Sequence, residues 1–418
     1  MRVVFYTRPA LLEPALHYAR EMSRLTEFHL VVELEPRAWS ALFVSAPPTQ
    51  SSGVVPADPI LRDIFPERVQ AYWRDAASFN LVSYRNRRSV HAASLPVSHA
   101  AIRFFKELRP DVLHFDDVSL RLSLNFPELP RIDFLSVHDP AVHSGEQDWR
   151  RSLSRRLTFR RVDRFILHNR AQVEGFCRDY RIAPSRVDVS LLGAYTLFRE
   201  LMTGPVPEEP RTVLFFGRLS EYKGLEPLYR AIQLVAERVD GVRLIVAGSP
   251  AFGYRPPMPP VLARGGQVEL LERYIGNAEM AALMQRASIV VCPYTDATQS
   301  GVVLTAYAFG KTIVATDVGG LPEYVRDGES GLVVRANDAE ALASAITRIL
   351  LDETLRRRLS AGVAHVVAHE LSWSTYAENM LALYGAADRP GGDRQRTKDA
   401  TSDGATGPLQ RDSTDAVR

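Results

Sequence analysis

Short unbroken apolar runs recur along the chain, each closed by a polar or glycine residue and followed by a stretch with helical spacing. Runs of this kind read as strands buried on both faces, so they predict parallel sheets covered by helices. In the first half, strands are expected at Val3–Tyr6, Phe28–Glu33, Asp111–Phe115, Asp133–Val137, Arg164–His168 and Val187–Leu191. In the second half they are expected at Val213–Phe216, Arg243–Ala247, Val268–Leu271, Ile289–Cys292, Thr312–Ala315 and Leu332–Val334. Strands alternating with helices in both halves argue for an α/β fold class built as two units.

Breakers and caps divide this pattern. The prolines of TGPVPEEP (203–210) block both helix and central strand and mark a linker. The domains expected are therefore 1–202 and 211–371, with 203–210 between them. The Pro/Ser-rich segment Ala46–Pro59 reads as a mobile loop at the cleft or surface. Asn337 with Glu340 makes a capping-box-like start for a helix running to Leu351, and Ser372 opens a last amphipathic helix over 372–386. Residues 387–418 are polar and aperiodic, the composition of a disordered tail. No internal repeat is present.

Composition narrows the class. With 418 residues, 46% hydrophobic and 24% charged, the chain can bury two cores. Residues 1–200 hold 28 Lys and Arg against 23 Asp and Glu, a net of +5, while the remainder carries a net of −3. The first half is thus the better match for an anionic partner. Its densest run, Arg150 to Arg164, scatters around a helix and reads either as a solvated surface or as a peripheral contact with an anionic membrane. Cys177 and Cys292 give neither a disulfide framework nor metal spacing, which fits a cytoplasmic protein, at most at the inner face of the membrane. The chain opens directly on a strand, MRVVFYT, with no signal-peptide core, and no run reaches the ~18 apolar residues of a spanning helix.

Candidate chemistry concentrates between Val213 and Val334. Arg218 and Lys223, in FFGRLSEYKG, sit on the loop leaving a buried strand, at the sheet edge where open α/β folds bind ligands. A planar guanidinium can grip two phosphate oxygens and an ammonium acts as a point charge, so the pair suits a diphosphate. Two of only four lysines, Lys223 and Lys311, fall in this stretch. AFGKT (308–312) imitates a Walker A ending, but Thr305 stands where that loop needs glycine, and the order is helix then strand. No G-x-G-x-x-G follows a strand, which leaves a nicotinamide or flavin dinucleotide site without support.

These residues carry a resemblance. FFGRLSEYKG, VAG (246–248), YIGNAEMAALMQRASIVVCPY and SGVVLTAYAFGKTIVATDVGGLPEYV together resemble a family 4 retaining glycosyltransferase of the GT-B fold, over Met1 to about Ala386. The resemblance implies two facing Rossmann-like domains with a carboxyl-terminal crossover helix and a nucleoside-diphosphate-sugar donor held mainly by the second domain. It also implies a glycan or lipid-linked acceptor on the first domain, in cell-surface polysaccharide or glycolipid assembly, with no cofactor, no metal and no nucleic acid. Arg218 and Lys223 match the residues that bind the diphosphate, beside Gly217. Ser300, Gly301 and Val302 match the helix start that meets phosphate, Tyr274 and Ile275 match the strand end against the nucleobase, and His138 in SVHDPAVH matches the histidine facing the transferred sugar.

Departures are equally specific. The expected pair of glutamates falls on Ala297 and Thr305; Asp296 is the nearest acid, with Thr298 and Gln299 as other candidates. The glycine-rich loop after the first strand is absent from YTRPALLEPALHYA, and Leu192 in LLGAY replaces the histidine of a P-H-G turn. Two rival functions follow: a non-catalytic nucleotide-sugar-binding protein, and an isomerase or phosphorylase on the same fold.

Overall fold

The computed structural model describes residues 1–34, 51–86, 91–125, 127–140, 149–202 and 204–387. Strands β1 (Arg2–Thr7), β2 (Glu27–Leu34), β3 (Gly53–Pro56), β4 (Ser78–Ser83), β5 (Val112–Asp116), β6 (Ile132–Val137), β7 (Val162–Leu167) and β8 (Val187–Val189) form one sheet. Its order is β3-β4-β2-β1-β5-β6-β7-β8. Strands β9 (Thr212–Phe216), β10 (Arg243–Ala247), β11 (Gln267–Leu271), β12 (Ile289–Cys292), β13 (Ile313–Thr316) and β14 (Gly331–Val334) form the other, ordered β11-β10-β9-β12-β13-β14. Every pairing is parallel except β3 against β4. The apolar runs are buried on both faces, as in Val3 to Thr7 and Leu244 to Ala247, because helices cover both sides.

The first sheet corrects two expectations. Gly53–Pro56 is an edge strand inside the segment expected to be a loop, and the neighbouring Asp58–Leu61 is helical. Pro56 is tolerated there because it ends an edge strand; residues 46–50 of that segment lie outside the described residues. The short run SFNLVS was overlooked as β4 because polar Asn80 interrupts its apolar pattern. A smaller correction concerns the helix Ala339–Leu351. Its cap is Asp338, whose carboxylate accepts from the Ala341 amide at 2.8 Å, while Asn337 takes a left-handed turn with φ of 61°.

Between the sheets, residues 204–211 run without regular structure, and Thr203 lies outside the described residues. Glu209 pairs with Arg243 and Arg286, each at 2.8 Å, and Lys311 Nζ reaches Glu208 at 2.7 Å, so this stretch is tied to the second sheet's domain.

The last helix, Trp373–Ala387, crosses back to the first domain. Ser372 caps it by accepting from the Thr375 amide at 3.1 Å. Tyr384 is buried there, 2.7 Å from the Tyr18 hydroxyl and 2.5 Å from Nδ1 of His114. Trp373 donates its indole N–H to the Ala194 carbonyl at 2.8 Å and lies on Gly193, where a Cβ would sit 2.7 Å from the ring. Leu192 therefore belongs to a domain joint: it is buried, and its amide donates to the Tyr324 hydroxyl at 3.2 Å. Tail residues 388–418 lie outside the described residues.

Candidate functional site

In an open parallel sheet the strand order reverses at one point, and the loops leaving the two strands on either side diverge to leave a crevice. In the second domain that point lies between β9 and β12. The loop after β9 is GRLSEYKG and the loop after β12 is PYTDATQSG, so the topology places the candidate phosphate ligands at the crevice.

Local contacts lock these two loops together. Gly217 (φ 118°) turns the chain out of β9, and Gly248 (φ 158°) after β10 lies so close that a Cβ there would meet the Gly217 carbonyl at 1.7 Å. Gly224 (φ 71°) begins the helix Leu225–Ala236, and a Cβ on it would stand 1.9 Å from the Pro293 carbonyl. The Thr295 amide donates to the Tyr222 carbonyl at 2.8 Å. Lys223 Nζ lies 3.7 Å from the centroid of the Tyr294 ring, a cation–π contact that fixes the ammonium. The same tyrosine's hydroxyl is 3.1 Å from Ser300 Oγ, at the start of the helix Gly301–Ala308. Val302 packs beside Gly217, its Cγ2 3.3 Å from where a Cβ on that glycine would be.

Gly217, Lys223, Ser300, Gly301 and Val302 are thus neighbours, and Arg218 is exposed on the same loop. The first amides of a helix have no intrahelical acceptor and sit at the positive end of its dipole, which makes the Ser300 end suited to an anion. Tyr274 and Ile275 follow the edge strand β11; Tyr274 is 62% exposed and Ile275 is buried. They are two strands away from the Lys223 loop. Thr305 is set apart, because it is buried one turn into the helix and gives its proton to the Gly301 carbonyl at 2.8 Å. Asp296 is half-buried on the loop after β12.

The first domain reverses between β1 and β5. Thr7, at the end of β1, donates to Asp116 Oδ2, at the end of β5, at 2.9 Å. Asp116 Oδ1 is 2.5 Å from Nε2 of His138, which follows β6. Burial alone would favour the neutral imidazole, but the carboxylates of Asp116, Asp139 and Asp117 outweigh it and raise the His138 pKa. The His168 ring lies 4.6 Å from that of His138, and burial lowers its pKa to about 3. Sequence reasoning missed Thr7 and Asp116. The only signal was their position at the ends of two strands whose adjacency the chain order does not reveal.

Both crevices face each other. Thr298 donates to Asp139 Oδ1 at 2.9 Å, Asn169 donates to the Thr298 carbonyl at 3.0 Å, and the Gln299 amide nitrogen lies 3.3 Å from His138 Nδ1. His138 is therefore in direct contact with the loop after β12. Among the described residues no group of three or more His, Cys, Asp or Glu side chains could hold a metal ion, and no helix is long and apolar enough to cross a membrane.

The arginine run does not form a single helix surface. Arg155 is buried, donating to the carbonyl of Asp139 at 2.7 Å and to the Tyr180 hydroxyl at 2.9 Å; Arg164 is in β7, paired with both oxygens of Asp188 at 2.7 and 2.8 Å. Arg156 and Arg160 remain exposed, and with Arg181 and Arg186 they line a groove of about 1040 Å³ that also meets Phe159, Tyr180 and Pro140. Arg186 is engaged with the carbonyls of Val162 and Asp163. The groove borders the loop that carries His138, since Pro140 is two residues beyond it.

Comparison with known proteins agrees with the second domain's geometry. The family model for glycosyl transferases group 1 matches residues 210–352. Those residues are similar to the group 1 glycosyltransferases. The described residues have the GT-B fold: the chain superposes on sucrose-phosphate synthase from Thermosynechococcus elongatus with a TM-score of 0.61 at 17% identity, covering 92% of this chain and 98% of that one. It also superposes on Anabaena HepE in complex with UDP and glucose, with a TM-score of 0.60 at 14% identity over 92% and 100% of the two chains. In sequence, the chain is 30% identical over 269 residues to a D-inositol 3-phosphate glycosyltransferase of Corynebacterium aurimucosum, covering 60% of this chain and 63% of the relative. It is 32% identical over 224 residues to the phosphatidyl-myo-inositol mannosyltransferase of Mycobacterium leprae, covering 52% and 56%. The matches span less than two thirds of these relatives. The matched residues 210–352 contain the Arg218–Lys223 and Ser300–Val302 cluster and exclude His138, Asp116 and the arginine groove.

Proposed function

We propose that the protein is a retaining glycosyltransferase that moves a sugar from a nucleoside diphosphate to an acceptor held by the first domain. The observation that carries this is the juxtaposition of Lys223, fixed over Tyr294, with the helix start at Ser300 that the same tyrosine contacts. As the bond from sugar to diphosphate breaks, charge grows on the leaving phosphate oxygens. In this reading Lys223, Arg218 and the helix-end amides meet that charge, which is how such groups lower a barrier. The charge is met in this account by side chains and amides rather than by a metal.

In this reading the contacts from Thr298 and Gln299 to the first domain hold the acceptor surface against the donor loop. For the acceptor, we infer a glycan or lipid-linked molecule with an anionic group. The groove with Arg156, Arg160 and Arg181 lies beside the His138 loop, and two relatives are named for phosphorylated inositol acceptors. The same arginines would also serve a peripheral contact with an anionic membrane surface at the cytoplasmic side.

A panel of UDP-, GDP- and ADP-sugars tests the reading. One donor class should raise the melting temperature by mass action and be hydrolysed slowly or transferred with retention of the anomeric configuration. Stabilisation with no turnover toward any acceptor would leave a nucleotide-sugar-binding protein instead.

A further inference from the structure

Where the resemblance leads one to expect a glutamate, Ala297 is buried, and its carbonyl occupies the space a side chain on Gly319 would need, 1.7 Å from that Cβ position. A donor sugar entering this crevice would find one hydroxyl without its expected acceptor. Beside that position four side chains are hydrogen-bonded in series: Thr7 to Asp116 at 2.9 Å, Asp116 to His138 at 2.5 Å and His138 to Gln299 at 3.3 Å. They run from the end of β1 across the domain seam to the donor loop.

The chemistry of the series fixes its far end. A carboxylate only accepts, so His138 must carry a proton on Nε2. A neutral ring then offers a lone pair at Nδ1, and Gln299 must face it with its amide nitrogen. The amide carbonyl Oε1 consequently points away, and it is buried with no hydrogen-bond partner among the described residues. A buried carbonyl left unpaired is unfavourable, and a hydroxyl donor would satisfy it.

We propose that Gln299 Oε1 accepts a hydroxyl of the transferred sugar, and that Asp116 is the positioning residue which, through His138, keeps the amide turned that way. The proposal rests on the glycosyltransferase reading. It also predicts a pH dependence: a doubly protonated His138 would donate from Nδ1, turn the amide over and present its NH₂ to the sugar. Among the histidines gathered here, His138 alone has its pKa raised. His114 and His168 are held neutral, with values of about 3, and Tyr195 and Tyr376 are raised above the usual tyrosine value. The remaining neighbours are the carboxylates of Asp116, Asp117 and Asp139, which raise His138.

The test compares wild type, Gln299→Met and Asp116→Asn, with turnover followed against pH and binding of free nucleoside diphosphate measured separately. Gln299→Met, which keeps the length and loses the amide, should lower turnover at least tenfold and change diphosphate affinity less than twofold. In Asp116→Asn the acid limb of the pH–rate profile should move to lower pH, because the anion that raises His138 is gone and burial then dominates. If Asp116→Asn does not fold, ¹⁵N shifts of the wild-type His138 ring decide the point: a proton on Nε2 alone at high pH is required, and a proton on Nδ1 alone would overturn the relay. Wild-type binding and turnover matched by Gln299→Met would sink the proposal while sparing the glycosyltransferase reading. No nucleoside diphosphate uptake by wild type would sink that reading itself.

Discussion

In the second domain, the groups around Lys223 come from two short contiguous segments, 217–224 and 293–302, each marked by glycines and a helix start. In the first domain, Thr7, Asp116, His138 and His168 come singly from the ends of four strands spread over the whole domain. On the proposed reading, the difference follows from what each side binds. A diphosphate is recognised by cations and backbone amides, which a tight loop can supply from neighbouring positions. A sugar hydroxyl and its acceptor need side chains aimed from several directions, and only the assembled sheet brings those together. The phosphate end should therefore fail through single residues, and the other end through its network.

The largest effect expected is at the phosphate end. Arg218→Ala and Lys223→Ala should each remove about 2 to 4 kcal/mol of transition-state stabilisation, roughly 30- to 1000-fold in turnover. Melting temperature should stay near wild type, since both side chains come from a loop outside the apolar core, Arg218 exposed and Lys223 half-buried. Near-normal turnover in either variant would remove the basis for treating this loop as the diphosphate grip.

A second expectation separates the domains by acid sensitivity. His17, His114 and His168 are buried in the first domain with pKa values lowered to about 3. Below the unfolded value near 6.5 the unfolded chain binds protons that the folded chain refuses. Stability should then fall as pH drops from 6.5 toward 3, by about 1 kcal/mol per pH unit for each histidine. His138 has the opposite sign: its raised value adds stability below the unfolded value, and that is lost as pH rises through the folded one. Replacing His114 by Gln should flatten the acid slope in denaturant titrations at successive pH values. An unchanged slope would mean that these rings are not held neutral.

The smallest effect concerns the arginine groove. Arg156→Gln, Arg160→Gln and Arg181→Gln together should weaken an anionic acceptor several-fold at low salt, and less at 0.5 M salt, because exposed charges are screened. A neutral acceptor should be unaffected. A loss equal for both would mean that the groove supports the fold instead of the ligand.

Most strands were legible because buried parallel strands read as plain apolar runs, and Arg243–Ala247 and Ile289–Cys292 have the bounds their sequences suggest. Edge strand β3 was not, since four residues ending in proline carry the composition of a loop. The arginine run looked like one element, but it spans a helix, a turn and a strand, and its members have separate tasks. Asp116 was hidden among ordinary surface-like acids. Nothing local distinguishes it from Asp117; only the pairing of β1 with β5 puts it between Thr7 and His138.

Calorimetric titration of UDP, GDP and ADP into wild type, Lys223→Ala and Gln299→Met tests most directly the claim that the β9–β12 crevice holds the diphosphate. One nucleotide should bind wild type saturably, Lys223→Ala should weaken it at least tenfold, which is about 1.4 kcal/mol, and Gln299→Met should leave it nearly unchanged. Binding that Lys223→Ala leaves intact, or the absence of binding for all three nucleotides, would contradict the account.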